Sequence, residues 1–406
     1  MKAVGVIVEY NPFHNGHAYH LQSAKEQSGA DLLIAVMSGN FLQRGEPALV
    51  SKWSRTKMAL MAGADIVFEL PYKFATQKAE TFANGAISIL TAVGCSSVCF
   101  GSESGSIDSF IKTAEYLQKH DDTYQESIKR NISKGFSYPK AVSLAYQSLV
   151  PGDDLIDLSK PNNILGFQYV QAILRQNSPM KAFTVSRKNA DYHDEHFSSA
   201  SIASATSLRK AIFSKNEEIQ ALTQYVPPTT YEILKDYQKE YQAMHHWEMY
   251  WPFLKFRLLQ SDPSDLKLIY EVEEGLEHRL HGAAQHADSF QEFMQQIKTK
   301  RYTWTRLQRI CVHILTNASK KEMLQNNQTA EYLRLLGMSE IGRSYLSEQK
   351  SSLGLPLIAK LSAFKKDAIK LDIKAARVYA MGLSKDGQSK MLKDEFSQPP
   401  IYIREF

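Results

Sequence analysis

The chain has 406 residues, 43% hydrophobic and 22% charged, with 20 Gly and 14 Pro. These figures describe a folded chain of about two domains and exclude collagen-like, low-complexity and disordered classes. The formal charge of +5 hides an asymmetry: residues 298–406 hold 20 Lys+Arg against 10 Asp+Glu, and the first 297 hold 28 against 33.

A basic third on a mildly acidic remainder suits a polyanion such as nucleic acid. Cys95-x₃-Cys99 and the distant Cys311 make no disulfide framework and match no zinc spacing. Small buried thiols in a reducing cytoplasm are expected, with no metal site.

The first apolar run, Ala3–Val8, stops at Glu9, too short for a signal peptide, and gives a strand signal at Val4–Val8. Further strand signals fall at Leu32–Met37, Asp65–Leu70, Ser97–Phe100 and Ala182–Ser186. Helical stretches separate them at Ala18–Gln27, Lys52–Ala62 and Lys78–Val93. Thr81–Ser102 is uncharged but carries Asn84, Gly85, Gly94, Ser96 and Ser97, so it reads as helix, turn and strand rather than a membrane span. Strands without polar alternation, separated by helices, predict a doubly wound, parallel-sheet, Rossmann-like α/β fold. Its ligand sits at the carboxyl ends of the strands.

Three helical segments from about Ile107 to Leu149 read as an insertion or lid. After Ser204 the pattern is helical for almost the whole remainder, interrupted by Pro227-Pro228 and Trp251-Pro252. The expected organisation is a catalytic domain over 1–220 with a helical insertion near 107–149, then a basic, mainly helical domain over 221–406.

The most informative residues follow the first strand: Glu9-Tyr10-Asn11-Pro12-Phe13-His14-Asn15-Gly16-His17. Neither G-x-G-x-x-G nor a Walker A pattern is present, so dehydrogenase and P-loop readings have no support. His-x-Gly-His at a strand-to-helix turn puts two imidazoles beside a helix N-terminus. There free N–H groups and the helix dipole attract anions. Gly16 leaves room for an adenine or ribose against the backbone.

His14-Asn15-Gly16-His17 resembles the signature of the nucleotidylyltransferase superfamily. That superfamily's late phosphate-binding element resembles Ser-Ser-Thr-x-Ile-Arg, and Ser204-Ala205-Thr206-Ser207-Leu208-Arg209 is similar to it. Ser204 also suits a plain N-cap. Further segments resemble the bacterial tRNA(Met) cytidine acetate ligases: Val8–Leu21, Met37–Gly45, Ser51–Pro71, Phe100–Glu103, Lys160–Phe167, Ser186–Lys188 and Thr303–Arg309.

The resemblance implies activation of acetate with ATP as acetyl-adenylate, release of pyrophosphate, and acetyl transfer to N4 of the wobble cytidine, position 34 of elongator tRNA(Met). It maps ATP contacts to Ile7, Val8, Glu9, Tyr10, Asn11, Pro12, Phe13, His14, Asn15, Gly16, His17, Ala18, Tyr19 and His20. Gly101, Asn162, Arg187 and Lys188 complete that set, with Ser204 and Thr206 from the late element. Asn162 also suits a cap for a helix over Ile164–Leu174.

Adenylation needs no protein nucleophile, so His14, His17 and Arg209 carry the catalytic expectation by stabilising charge, with Mg²⁺ on the triphosphate. Arg44 in the Gly39–Gly45 loop guides a substrate or fastens the loop, and Glu69 and Glu80 read as salt-bridged rather than as bases.

In the basic part, Arg279, Lys298, Lys300, Arg301, Arg306, Arg309 and Arg334 alternate with Tyr302, Trp304 and Tyr332. Arginine with aromatics suits phosphates and unstacked bases. Arg279, Arg301, Arg306 and Arg309 are therefore the expected tRNA contacts, and Trp304 is expected in the core. A small-molecule nucleotidylyltransferase is the alternative, and an RNA-binding protein with a degenerate site a third reading. No membrane contact is expected and no protein partner is implied.

Overall fold

A computed structural model describes residues 1–149, 155–186, 203–214, 219–326, 328–364 and 367–404. One sheet organises it: β1 (Ala3–Val8), β2 (Leu32–Ser38), β3 (Ile66–Leu70), β4 (Ser97–Ser102), β5 (Lys181–Ser186), β6 (Leu333–Ser339), β7 (Leu357–Ile358) and β8 (Ile401–Ile403). The spatial order is β5-β4-β1-β2-β3-β6-β7, with β8 also beside β6. β1 to β5 run parallel, each within a residue or two of its sequence expectation. Helices cover both faces: along β2, Leu33, Ala35 and Met37 enter one core and Leu32, Ile34 and Val36 the other. That is why these strands read as unbroken apolar runs.

The chain leaves β1 toward β2 and later crosses back to β4 on β1's other side, so the strand order reverses there. β1 and β4 pair only at Val4↔Ser97 and Gly5↔Val98, although both strands run further. Their carboxyl ends therefore splay into a crevice at the point where doubly wound folds bind ligands.

The three helical segments expected after β4 form as the Ile107–Lys119, Asp121–Ser133 and Tyr138–Leu149 helices. After residue 219 the helices Trp247–Gln260, Leu276–His286, Phe290–Ile297 and Trp304–Leu315 pack together, and Pro228–Tyr241, which precedes them, packs on the Lys52–Met61 helix. Pro227-Pro228 opens the Pro228–Tyr241 helix, but Pro252 breaks nothing and lies inside Trp247–Gln260. It sits in the second turn, where one backbone hydrogen bond is lost while Trp247, Tyr250, Trp251, Leu254 and Leu258 are buried along the helix.

The mainly helical remainder also returns to the sheet. β6 pairs antiparallel with β3, so the sheet spans both stretches separated in composition near residue 220. Leu333-Arg334-Leu335-Leu336 contains no β-branched residue, and a short apolar run cannot be told from a buried helix by periodicity.

A buried ionic cluster ties this return in place. Lys52 Nζ donates to both Glu69 oxygens at 2.9 and 2.8 Å and to Glu395 at 2.9 Å. Arg334 meets Glu69 at 3.2 Å and Glu395 at 2.9 Å. Beside it, Asp372 accepts from the Tyr72 amide at 2.8 Å and from the Tyr332 hydroxyl. Burial, then the nearby Glu69 charge, push the Asp372 carboxyl up to about 7. All three cysteines are buried. No helix among the described residues is long and apolar enough to cross a membrane.

Candidate active site

The crevice is marked on the strands themselves. In β1 and β4, every residue is buried except Ile7 and Gly101, which are partly exposed. Both belong to the expected ATP set.

At the turn after β1, the Asn15–Ser28 helix begins with His14 as N-cap. His14 Nδ1 accepts from the Gly16 amide at 3.1 Å, and His17 Nδ1 accepts from the His14 amide at 3.3 Å. This is a capping box built from two histidines, whose rings stack 3.7 Å apart. With both Nδ1 atoms accepting, the neutral rings carry their proton on Nε2, the form that donates to an anionic oxygen. The geometry corrects one detail: Asn15 N donates to the Tyr225 carbonyl, Gly16 N to the His14 ring and His17 N to the His14 carbonyl. The first helical amides are thus occupied internally, and the two stacked imidazoles are the side chains that line this turn.

Glu9 at the end of β1 accepts from the Gln43 amide at 2.7 Å and the Ser38 hydroxyl at 3.3 Å. Burial raises its pKa, opposed by the Gln43 N–H and by Arg44 and Arg55. The loop carrying Arg44 is fastened at its end: Trp247 donates to the Gly45 carbonyl at 2.9 Å. Gly45 has φ +76 and lies against the backbone of Gln308 and Arg309, where a side chain has no room.

Arg55, which sequence reasoning missed, is wholly buried. It donates to the carbonyls of Glu9 (2.7 Å), Ser38 (2.9 Å), Val50 (3.2 Å) and Gly39, joining the carboxyl ends of β1 and β2. Nothing in the sequence separates a buried arginine on the Lys52–Met61 helix from a solvated one.

The late element reaches the same turn. Ser204 caps the Ala205–Phe213 helix and accepts from Ser207 N at 3.1 Å. Arg209 donates to the Asn11 carbonyl at 2.9 Å and pairs with Glu46 at 2.9 Å. Ser204 is buried and Thr206 exposed.

On the β4 side, Asn162 is not the cap of its helix, which begins earlier, at Pro161. Glu103 does that work from outside, accepting from Asn162 N at 3.3 Å, Asn162 Nδ2 at 2.6 Å and Asn163 N at 2.8 Å. In the sequence it closes the resembling segment Phe100–Glu103, two residues after Gly101. Arg187 and Lys188 lie outside the described residues. Glu69 is ion-paired as above, and Glu80 meets Lys78 at 2.7 Å and Arg175 at 2.6 Å.

Each arginine expected at tRNA has a protein partner. Arg279 donates to the Ile297 and Gln296 carbonyls at 2.9 and 2.8 Å. Arg301 pairs with Glu274 at 2.7 Å and Arg306 with Glu273 at 3.1 Å. Arg309 binds both oxygens of Glu271 at 3.0 and 2.8 Å. Arg334 and Tyr332 are buried. Trp304 packs partly buried against the core, with Leu307, Ile310 and Cys311 inside it.

A crevice at a reversed strand order, entered by a His-x-Gly-His turn and met by a capped Ser/Thr-Arg element, defines a nucleotidyl transferase of the HIGH type. The HIGH Nucleotidyl Transferase family model matches residues 1–394. A tRNA(Met) cytidine acetate ligase of Bacillus licheniformis is 51% identical, covering 99% of this chain and 97% of that one. A ligase of the same name from Bacillus subtilis is 48% identical, covering 99% and 97%. The crystal structure of apo Thermotoga maritima TmcAL superposes with a TM-score of 0.93 at 35% identity, covering 100% of both chains. The form bound with alpha-thio ATP gives 0.91 at 34% identity, also covering 100% of both. The chain belongs to the tRNA(Met) cytidine acetate ligase family.

Proposed function

We propose that the chain joins acetate to elongator tRNA(Met) in two steps at the β1/β4 crevice. An acetate oxygen attacks the α-phosphorus of ATP, the bond to the bridging oxygen breaks, and pyrophosphate leaves. N4 of the wobble cytidine, C34, then attacks the acetyl carbonyl, the amine proton is lost, and AMP leaves with the acyl oxygen. The observation that carries this reading is the pair of stacked imidazoles at the crevice, both oriented by their Nδ1 atoms.

In this scheme His14 and His17 donate from Nε2 to phosphate oxygens and stabilise charge that grows as the leaving group departs. Ile7 and Gly101 supply the accessible floor for the nucleoside, and Glu103 fixes Asn162 beside it. Among the described residues the buried Tyr10 hydroxyl and Asn11 Nδ2 have no hydrogen-bond partner, which fits a polar ligand there. Arg209 reaches the turn already paired, so a triphosphate competes with Glu46 for it. Arg187, Lys188, Ser204 and Thr206 complete the proposed ATP set.

Among the described residues no group of three or more His, Cys, Asp or Glu could hold a metal ion. Mg²⁺ therefore fits as an ion carried on the triphosphate oxygens. The basic region after residue 221 is proposed to face the tRNA, and the cytoplasm is the compartment that supplies ATP and this RNA.

Acetate-dependent exchange of labelled pyrophosphate into ATP tests the first step without RNA. Exchange that needs acetate is expected. Exchange that is indifferent to acetate but supported by another small acceptor would instead favour a small-molecule nucleotidylyltransferase.

A further inference from the structure

The mildly acidic first part of the chain carries one basic, aromatic island. From Ser127 to Leu149 there is no Asp or Glu, while Lys129, Arg130, Lys134 and Lys140 are all exposed. Among the described residues none of these four makes an ion pair, in contrast to Arg301, Arg306 and Arg309.

The island is the turn end of the hairpin formed by Asp121–Ser133 and Tyr138–Leu149. Tyr124, Ile128, Ala141, Ala145 and Tyr146 are its buried side. On the open side stand Ile132, Phe136 at 41% exposure and Tyr138 at 56%. Neither of these two rings packs on another aromatic ring among the described residues.

The Ile107–Lys119 helix that leads into the hairpin starts five residues after the carboxyl end of β4, one edge of the crevice.

We infer that this hairpin end is an RNA-docking surface for the unpaired anticodon bases. Phe136 and Tyr138 stack on bases, and Lys129, Arg130, Lys134 and Lys140 meet the flanking phosphates. The inference rests on the tRNA reading above. Aromatic platforms bordered by uncompensated cations fit single-stranded RNA. They fit a protein partner poorly, because charged groups are depleted at the centres of protein interfaces.

The test measures affinity for unmodified elongator tRNA(Met) at several salt concentrations. It compares the full chain, Phe136→Ala/Tyr138→Ala, Lys134→Glu/Lys140→Glu, and Lys350→Glu. Lys350 is exposed next to Gln349, which approaches Gly94 at the amino-terminal edge of the sheet.

Loss of both rings is expected to weaken binding at least about tenfold. The hairpin lysine variant is expected to lower the salt slope by about two. Lys350→Glu leaves both unchanged. All the altered side chains are exposed, so the variants keep their thermal midpoints. Ultraviolet crosslinking of the unaltered chain is expected to attach the anticodon loop within residues 129–140.

Unaltered affinity and slope in both hairpin variants overturn the inference and leave the tRNA reading standing, as does a crosslink map that omits 129–140. An unaltered chain that fails to bind the tRNA at all overturns both.

Discussion

Two helical regions of this molecule carry cations among aromatics, and only one holds them available. In the Trp304–Leu315 region, Arg301, Arg306 and Arg309 answer Glu274, Glu273 and Glu271, three acids of one loop. Glu271 and Glu274 sit at φ +62 and +58, a conformation that L side chains adopt at a cost. In the 121–149 hairpin, Glu126 stands one helical turn before Arg130, yet Lys129, Arg130, Lys134 and Lys140 make no ion pair among the described residues. Charge and aromatic content look alike in both. The acids that neutralise the first set lie some 30 residues earlier in the chain, so a count over residues 298–406 leaves them out. Net charge per segment measures which residues are present, and the fold decides which of them face a partner.

The largest expected effect breaks the first region. Arg309→Ala leaves Glu271, its side chain 12% exposed, without its bidentate partner and is expected to cost about 3–5 kcal/mol in urea or thermal denaturation. Replacing both with methionine is expected to recover much of that loss. A mild effect of the single change, with weakened tRNA binding, would place Arg309 on the RNA side instead.

Asp372 extends the contrast to a buried acid in excess of its partners. Its pKa in the folded chain, about 7, lies above the ordinary value of 3.8. Its contribution to stability is therefore full below about pH 4 and is lost as pH rises through 7. Relative to the unaltered chain, Asp372→Asn should gain stability between pH 4 and 7, by at most about 4 kcal/mol, and hold that gain above. The difference between the two melting curves, measured across pH, isolates this group from the buried histidines His245 and His313. Burial lowers those to about 3 and about 4, so they act in the opposite direction.

His17→Ala separates the nucleotide end from the RNA surface. Acetate-dependent pyrophosphate exchange is expected to fall on the order of 10²–10³-fold, with tRNA affinity retained. A parallel fall in both would remove the phosphate role. At the small end, Arg301→Ala breaks an ion pair that is about half exposed on both sides and should shift stability by less than about 1 kcal/mol. Set beside Arg309→Ala, it shows whether burial alone separates two arginines of one region.

Much of the fold was legible because the apolar runs of β1 to β5 and the three helices after β4 announce themselves locally. β6 was not, since Leu-Arg-Leu-Leu has no strand-specific residue and its partner, β3, lies more than 260 residues away. β7 and β8, of two and three residues, are too short to carry a pattern.

In the site, His14, His17 and Arg209 converge on one turn as their motifs suggest, because motif spacing encodes local geometry. The internal use of the first helical amides, the Glu103 cap on Asn162 and the four-carbonyl grip of Arg55 all depend on side-chain burial and long-range contacts. No window of sequence contains those. The four arginines went to structural partners for the same reason.

The most direct measurement incubates the chain with labelled acetate, ATP, Mg²⁺ and unmodified elongator tRNA(Met), followed by nucleoside analysis of the RNA. Label in N4-acetylcytidine at position 34 is the predicted result. Pyrophosphate exchange that depends on acetate, with no label entering that nucleoside, would contradict the proposed acceptor and leave only the adenylating half of the reaction.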